Sequence, residues 1–204
     1  MDDLQTRILD AALPAIAFDG WTIGVLETAA KSVGLSAFDV KRAFPGGVIE
    51  AVNLFLARID AQMEAALPAG LAGMKIRERI ATIVMTRLRL QSPHREAVRR
   101  ALAVYAMPWH MADGMQRSWT TADAIWRAAG DTATDYNYYT KRLILSKVYA
   151  ATVMVWLEDN SPDLVDTEAF LRRRIENVMQ FEKFKAKAKS AFGSLEQWLP
   201  KFRA

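Results

Sequence analysis

The side chains that could do chemistry in this 204-residue chain are few: two histidines, no cysteine, and a scatter of carboxylates. His94 and His110 fall on different expected helices, and neither has a carboxylate at the Glu-x-x-His spacing that a four-helix di-iron site needs. The absence of Cys removes disulfides and thiolate metal sites and suits a reducing compartment. No Gly-rich phosphate loop, nucleophile elbow or zinc-ligand spacing is present. Glu158, Asp159, Asp163 and Asp166 surround Ser161-Pro162, the composition of a turn and helix start, where carboxylates cap backbone N–H groups and meet the helix dipole. The expectation is a protein without catalytic residues, metal or organic cofactor.

The stretch WRAAGDTATDYNYYTKR, residues 126–142, holds Trp126, Tyr136, Tyr138 and Tyr139 among two Asp, three Thr and an Asn. Gly130 ends one helix and Asp135 or Asn137 caps the next, which accounts for the polar residues. Neighbouring residues of a helix differ by about 100° in azimuth, so the three tyrosines cannot all face one core. A partner-binding patch and a helix crossing that packs the rings are both compatible with this pattern. Tyr138 and Tyr139 are expected at the surface and Trp126 in the core, continuing a stripe through Met115, Trp119 and Ala122.

The elements that must position this stretch are helices. Residues 4–17, 23–33, 35–44, 48–66, 74–91, 95–107, 109–129, 137–157 and 164–181 each carry apolar residues at three- and four-residue spacing. Gly or Pro punctuates the breaks between them. No strand pattern competes, and the chain length suits one buried core with an appendage. The longest apolar run, residues 148–157, is about half of the ~20 residues needed to span a bilayer. The acidic start MDDLQTRILDAALPAIA lacks the basic and apolar regions of a secretory or transit peptide, so the mature chain is expected to start here.

Within GWTIGVLETAAKSVGLSAFDVKRAFPGGVIEAV, the residues Trp21, Leu26, Ala29, Ala30, Val33, Leu35, Val40, Phe44 and Ile49 stand where a helix-turn-helix buries its apolar side chains, with Gly34 at the turn. This resembles the N-terminal domain of TetR-type repressors. Residues 1–60 nevertheless carry five basic against eight acidic side chains, and Asp39 stands where a recognition helix begins. DNA affinity comes mostly from phosphate neutralisation, so this unit is not expected to bind nucleic acid.

The whole net charge of +4 sits in residues 181–204, which hold six basic side chains against Glu182 and Glu196. There Phe184, Phe192, Leu195, Trp198, Leu199 and Phe202 follow helical spacing, while Lys183 and Lys189 lie off that arc and Lys185 adds to the charge. An amphipathic basic helix of this kind suits the headgroup boundary of an anionic membrane. Phe184, Lys185, Lys189, Phe192, Leu195, Trp198, Leu199 and Phe202 are therefore the expected membrane-binding residues. Three units follow: residues 1–46 as the helix-turn-helix-like unit, 47–181 as the core, and 182–204 as the membrane-associating helix. The eighth and ninth helices are apolar over much of their circumference, which predicts a two-fold homodimer through them, breakable by Val153→Lys or Ile175→Lys.

One further likeness covers residues 5–182. The pattern W-x-x-A-G-D-x-x-T-D-Y-N-x-Y-T-K-R, an apolar helix, and then D-x-S-P-D at residues 159–163 resemble the signature of the ubiquinone (coenzyme Q) biosynthesis accessory family. The resemblance implies an all-α, TetR-like bundle of about nine helices and an extra C-terminal amphipathic helix. It also implies a non-catalytic, lipid-binding role: a polyprenyl quinone precursor or phospholipid held in the core and presented at a membrane to a di-iron hydroxylase. It places the hydroxylase-binding surface at Trp126, Asp131, Asp135, Asn137, Tyr138, Tyr139 and Arg142, with Tyr138 standing where eukaryotic members have Trp. That departure and the lack of a mitochondrial extension imply a bacterial-type member on the cytoplasmic face of the inner membrane. Ile80, Val84, Leu88, Leu102, Tyr105, Met107, Trp109, Met115, Trp119 and Tyr149 supply the large or soft side chains expected to line the lipid site. A ligand-responsive repressor of TetR type is the alternative.

Overall fold

The computed structural model describes residues 3–196, with side chains from residue 3 to 180. Nine α-helices and no strand occur among the described residues. The first unit is α1 (Asp3–Asp19), α2 (Ile23–Ser32) and α3 (Ala37–Ala43). Thr22 caps α2 by accepting from Val25 N at 3.2 Å. Gly34 makes the tight turn between α2 and α3 at φ +77°, a conformation that disfavours any Cβ. Ser36 and Asp39 then form a reciprocal capping box at the start of α3. Leu26, Ala30 and Val40 are buried against Ile8, Leu9 and Ile16 of α1, as the helix-turn-helix pattern requires.

The unit is locked onto the body by α4 (Val48–Ala65) and by two bonds to α6, Trp21 Nε1 donating to Ala97 O at 2.9 Å and Arg100 Nε donating to Ala17 O at 3.1 Å. The Trp21 ring meets Phe55 with centroids 5.5 Å apart. The body comprises α5 (Ile76–Gln91), α6 (Arg95–Tyr105), α7 (Met111–Ala128), α8 (Tyr136–Glu158) and α9 (Val165–Glu196). Here α5 packs against α4, α7 and α9, and α8 lies between α7 and α9. Ile83, Val84, Met85 and Leu88 of α5 are sealed in the centre, as is Trp156 of α8.

The corner from α8 to α9 is built by Asp159. Its carboxylate accepts from Ser161 N at 2.8 Å, Ser161 Oγ at 2.6 Å, Thr167 N at 2.9 Å and Thr167 Oγ1 at 2.5 Å. Burial opposes its charge, yet the bonds from Ser161 and Thr167 outweigh that and hold its pKa down at about 2. The acidic cluster around Ser161-Pro162 is therefore the turn and helix start that its composition indicates. No break separates residues 181 and 182: α9 continues to Glu196, because Ala, Lys and Glu favour helix and no Pro stands between Val165 and Glu196. The expected membrane-facing side chains of Phe184, Lys185, Lys189, Phe192 and Leu195 lie outside the described side chains, and Trp198, Leu199 and Phe202 lie outside the described residues.

Candidate functional site

The 126–142 stretch forms a tied loop and a helix start. Gly130 takes φ +85° after α7, and an added Cβ there would lie 3.2 Å from Arg79 Nη1, the atom that donates to Ala129 O at 2.5 Å. Asp135 then caps α8, accepting from Asn137 N and Nδ2, each at 3.0 Å. Beneath the loop lies Arg142, 1% exposed. Its Nε donates to Asp123 Oδ1 at 2.6 Å, and its Nη1 to Asp131 Oδ2 and Tyr138 O at 3.0 and 3.1 Å. Asp131 also accepts from Lys141 Nζ at 2.6 Å, and Asp123 from the Tyr138 hydroxyl at 3.1 Å. For both carboxyls burial works against ionisation, but the hydrogen bonds from these partners win and lower their pKa. The guanidinium of Arg142 stacks 3.4 Å over the Tyr138 ring. On the outside remain Tyr139, 61% exposed, and beside it Tyr136 and Leu143. Tyr139 meets Tyr138 and Trp119 with centroids 5.1 and 6.1 Å apart.

Two apolar cavities flank α8. The larger, about 610 Å³, opens between α5, α6, α7 and α8, with Leu102, Tyr105, Met115, Tyr149 and Val153 in its wall. Exposed Met111, Met115 and Met154 stand at its rim. Its floor is polar: Asp60 accepts from Arg87 Nε at 2.7 Å, from Arg117 Nη2, and from Thr121 Oγ1 at 3.2 Å. Arg87 Nη1 also donates to Gln91 Oε1 at 2.8 Å and to the Tyr149 hydroxyl. Burial raises the pKa of Tyr149, keeping it a neutral phenol. The smaller cavity, about 460 Å³, lies between α5, α8 and α9, with Ile80, Trp126, Ile144 and Val178 on its wall.

A family model described as COQ9 matches residues 111–182, the segment that contains α7, the tied loop and α8. The human protein "Ubiquinone biosynthesis protein COQ9, mitochondrial" is 31% identical over 97% of this chain and 64% of its own length. The chain is thus similar to COQ9 proteins over nearly its whole length, and residues 111–182 match the family's own model. The Drosophila melanogaster protein of the same printed name is 28% identical over 89% of the chain and 57% of its own length. The chain thus spans less than two thirds of the length of these COQ9 relatives. A TetR transcriptional regulator from Nitrosomonas europaea has a similar structure, with TM-score 0.69 and 21% identity over 86% of this chain and 97% of that one. That likeness establishes the TetR-like, all-α fold of this chain and nothing about its ligand.

Several expected site residues need correction. Arg142 and the Asp131 side chain are buried, Tyr138 is half-buried with its hydroxyl on Asp123, and Trp126 is half-buried with its Nε1 donating to Lys141 O at 3.1 Å. These four hold the loop from within, so of the expected partner residues Asp135, Asn137 and Tyr139 are the ones presented outward. Of the expected lipid residues, Leu102, Tyr105, Met115 and Tyr149 line the larger cavity and Ile80 the smaller. Val84 and Leu88 are solid core, Met107 and Trp109 are exposed outside both cavities, and Trp119 packs on the tyrosines instead. Val153 is buried in the wall of the larger cavity, so Val153→Lys attacks the fold before any dimer. The cluster of Asp60, Arg87, Gln91 and Arg117 was missed. Its signal is in the sequence: Arg87 and Gln91 continue the i, i+3, i+7, i+11 row begun by Ile80, where apolar residues belong.

Among the described residues no group of three or more His, Asp or Glu is placed to hold a metal ion, and no helix is long and apolar enough to cross a membrane. His110 Nδ1 lies 3.0 Å from Asp113 at the start of α7, and His94 meets Phe55 edge-on at 5.9 Å.

Proposed function

We propose that the protein is a non-catalytic accessory factor of ubiquinone biosynthesis that holds a polyprenyl quinone precursor, or a phospholipid in its place, and presents it at a membrane to a separate di-iron hydroxylase. The observation that carries the reading is the 610 Å³ open cavity, which has the size of a small-molecule pocket, apolar walls and a rim of methionines that adapt to flexible chains. Similarity to COQ9 proteins of ubiquinone biosynthesis supports the pathway. The outward face of Tyr139, Tyr136, Leu143, Asn137 and Asp135 is the surface offered to the hydroxylase. The basic aromatic segment 182–204 supplies attachment to anionic membrane, on the cytoplasmic side if the chain is bacterial. Two copies associate through α8 and α9, where Met154 and Met179 remain exposed.

Native mass spectrometry of the full chain with extracted lipids tests this. The expected result is an isoprenoid or phospholipid adduct that is lost in Ala101→Phe, which fills the cavity from α6, while the melting temperature holds. An adduct retained in a folded Ala101→Phe protein excludes this cavity as the lipid site. The repressor reading rests on the TetR-like α1–α3 unit. Against it, the recognition helix α3 spans only seven residues, residues 1–60 are net acidic, and Asp39 is occupied by its own capping box.

A further inference from the structure

The floor of the larger cavity carries two polar atoms with nothing to bond. Gln91 is fully buried and its Nε2 lacks a hydrogen-bond partner, as does Nε of Arg117. Both residues line the cavity. The orientation of the Gln91 amide is fixed by chemistry, because Oε1 must accept from Arg87 Nη1 at 2.8 Å, which turns the NH2 the other way. The Tyr149 hydroxyl beside it accepts from Arg87; burial raises the phenol's pKa and the Gln91 amide lies near enough to lower it in part, but not in the geometry of a hydrogen bond, so Nε2 stays unsatisfied. Arg117 is held at its other end, where Nη2 donates to Asp60 and Thr121, so Nε stays free. Buried donors in folded proteins are nearly always satisfied, and leaving one unpaired is costly. Two of them on one cavity otherwise walled by Leu56, Val98, Ala101 and Leu102 mark a place where an acceptor belongs.

We propose that Gln91 Nε2 and Arg117 Nε form a head-group subsite that takes the oxygen acceptor of a carbonyl- or carboxylate-bearing apolar ligand. This deepens the reading above and rests on it, since it assumes that the cavity holds an amphiphile. Both vacant groups are donors, so a head that only donates finds no partner. Of the charged groups here, the two guanidiniums of Arg87 and Arg117 line the cavity itself, whereas the carboxylates of Asp60 and Asp113 stand behind its wall, and Tyr105 and Tyr149 are present as phenols. An oxyanion or a carbonyl dipole is complementary to that field, and an ammonium is excluded by it.

The test uses the full chain and four probes with similar tails: a decyl-substituted benzoquinone, dodecanoate, decylbenzene and dodecylammonium. Affinities are read by native mass spectrometry and calorimetry. Wild type is expected to bind the quinone and dodecanoate roughly tenfold or more tightly than decylbenzene and dodecylammonium, the value of one or two buried hydrogen bonds. Gln91→Glu keeps an acceptor for Arg87 and removes the donor, so it should abolish the dodecanoate preference and bring the quinone close to decylbenzene, whose own affinity stays unchanged. Arg117→Lys retains the charge opposite Asp60 but removes Nε, and should narrow the same ratio if Gln91→Glu does not fold. Wild-type ratios in both folded variants overturn the subsite and leave water as the partner of these donors. If wild type binds all four probes equally, the subsite falls while the lipid cavity stands. If it binds none, the cavity reading falls and takes the subsite with it.

Discussion

Arg142→Met is the sharpest probe of how the tied loop is built. The substitution keeps the length and apolar body of the side chain but removes a buried cation that donates to Asp123, Asp131 and the Tyr138 carbonyl. Asp131 has a 5% exposed side chain, so water cannot fully replace the lost guanidinium, although Lys141 remains at 2.6 Å. Removing one member of a buried pair costs about 3–5 kcal/mol. The residual Lys141 contact and the partial exposure of Asp123 place the expectation near the lower end, about 3 kcal/mol. For a chain of this size that corresponds to a fall in melting temperature of roughly 6–12 °C. Differential scanning calorimetry at neutral pH measures it, with Arg142→Lys falling between the two because an ammonium lacks the planar fork. Adding Asp131→Asn to Arg142→Met should cost much less than the sum of the single changes, since the orphaned carboxylate is then gone. A melt within 2 °C of wild type for Arg142→Met would mean that the charge network contributes nothing and that the loop is held by Trp126 and Asp135 alone.

Three further expectations are independent of that network. Asp159 has its pKa lowered from 3.8 to about 2, so its contribution of about 2 kcal/mol is present above pH 4 and disappears as pH falls toward 2. The gap between wild type and Asp159→Asn should therefore close on acidification, and a gap of constant size from pH 7 to pH 2.5 contradicts the assignment. Gly130→Ala introduces a Cβ at φ +85° and 3.2 Å from Arg79, which should cost about 1–2 kcal/mol in urea melts, whereas an unchanged midpoint shows that the loop relaxes freely. No duplex DNA should be bound specifically at moderate salt, and a selected operator held with a steep salt dependence would refute this.

Much of the helical frame was legible because its signals are local. Apolar spacing located all nine helices, and Gly34 and Gly130 marked turns that do take positive φ. The end of α9 was not legible: a shift in charge at residue 182 looks like a boundary, but backbone continuity is decided by helix propensity, and lysines propagate a helix as well as glutamates do. The site was legible in composition and opaque in azimuth. The tyrosine spacing requires that some ring be exposed, yet that Tyr138 turns inward depends on Asp123, fifteen residues away across the α7–α8 corner. Arg142 carried a readable clue, since it precedes Leu145, Val148 and Thr152 on the buried side of α8. The exposed positions of Met107 and Trp109, outside both cavities, were not legible, because a large apolar side chain says nothing about whether a neighbouring helix covers it.

The inward turn of charge beneath the tied loop also fixes how quickly anything can land on it. Asp123, Asp131 and Asp135 are matched by Arg127, Lys141 and Arg142, so the ground under Tyr139 and Leu143 is electrically balanced and projects no long-range field. A collision with this face is therefore unsteered. Its association rate constant should sit near the neutral range of about 10⁵–10⁶ M⁻¹s⁻¹ and hardly respond to ionic strength. The lysine-rich end of the chain, by contrast, carries the whole net charge and senses an anionic surface at a distance of about a Debye length. Under the proposed function, one molecule would have two arrival modes: the basic end is drawn to an anionic surface, and the balanced face is left to diffusion.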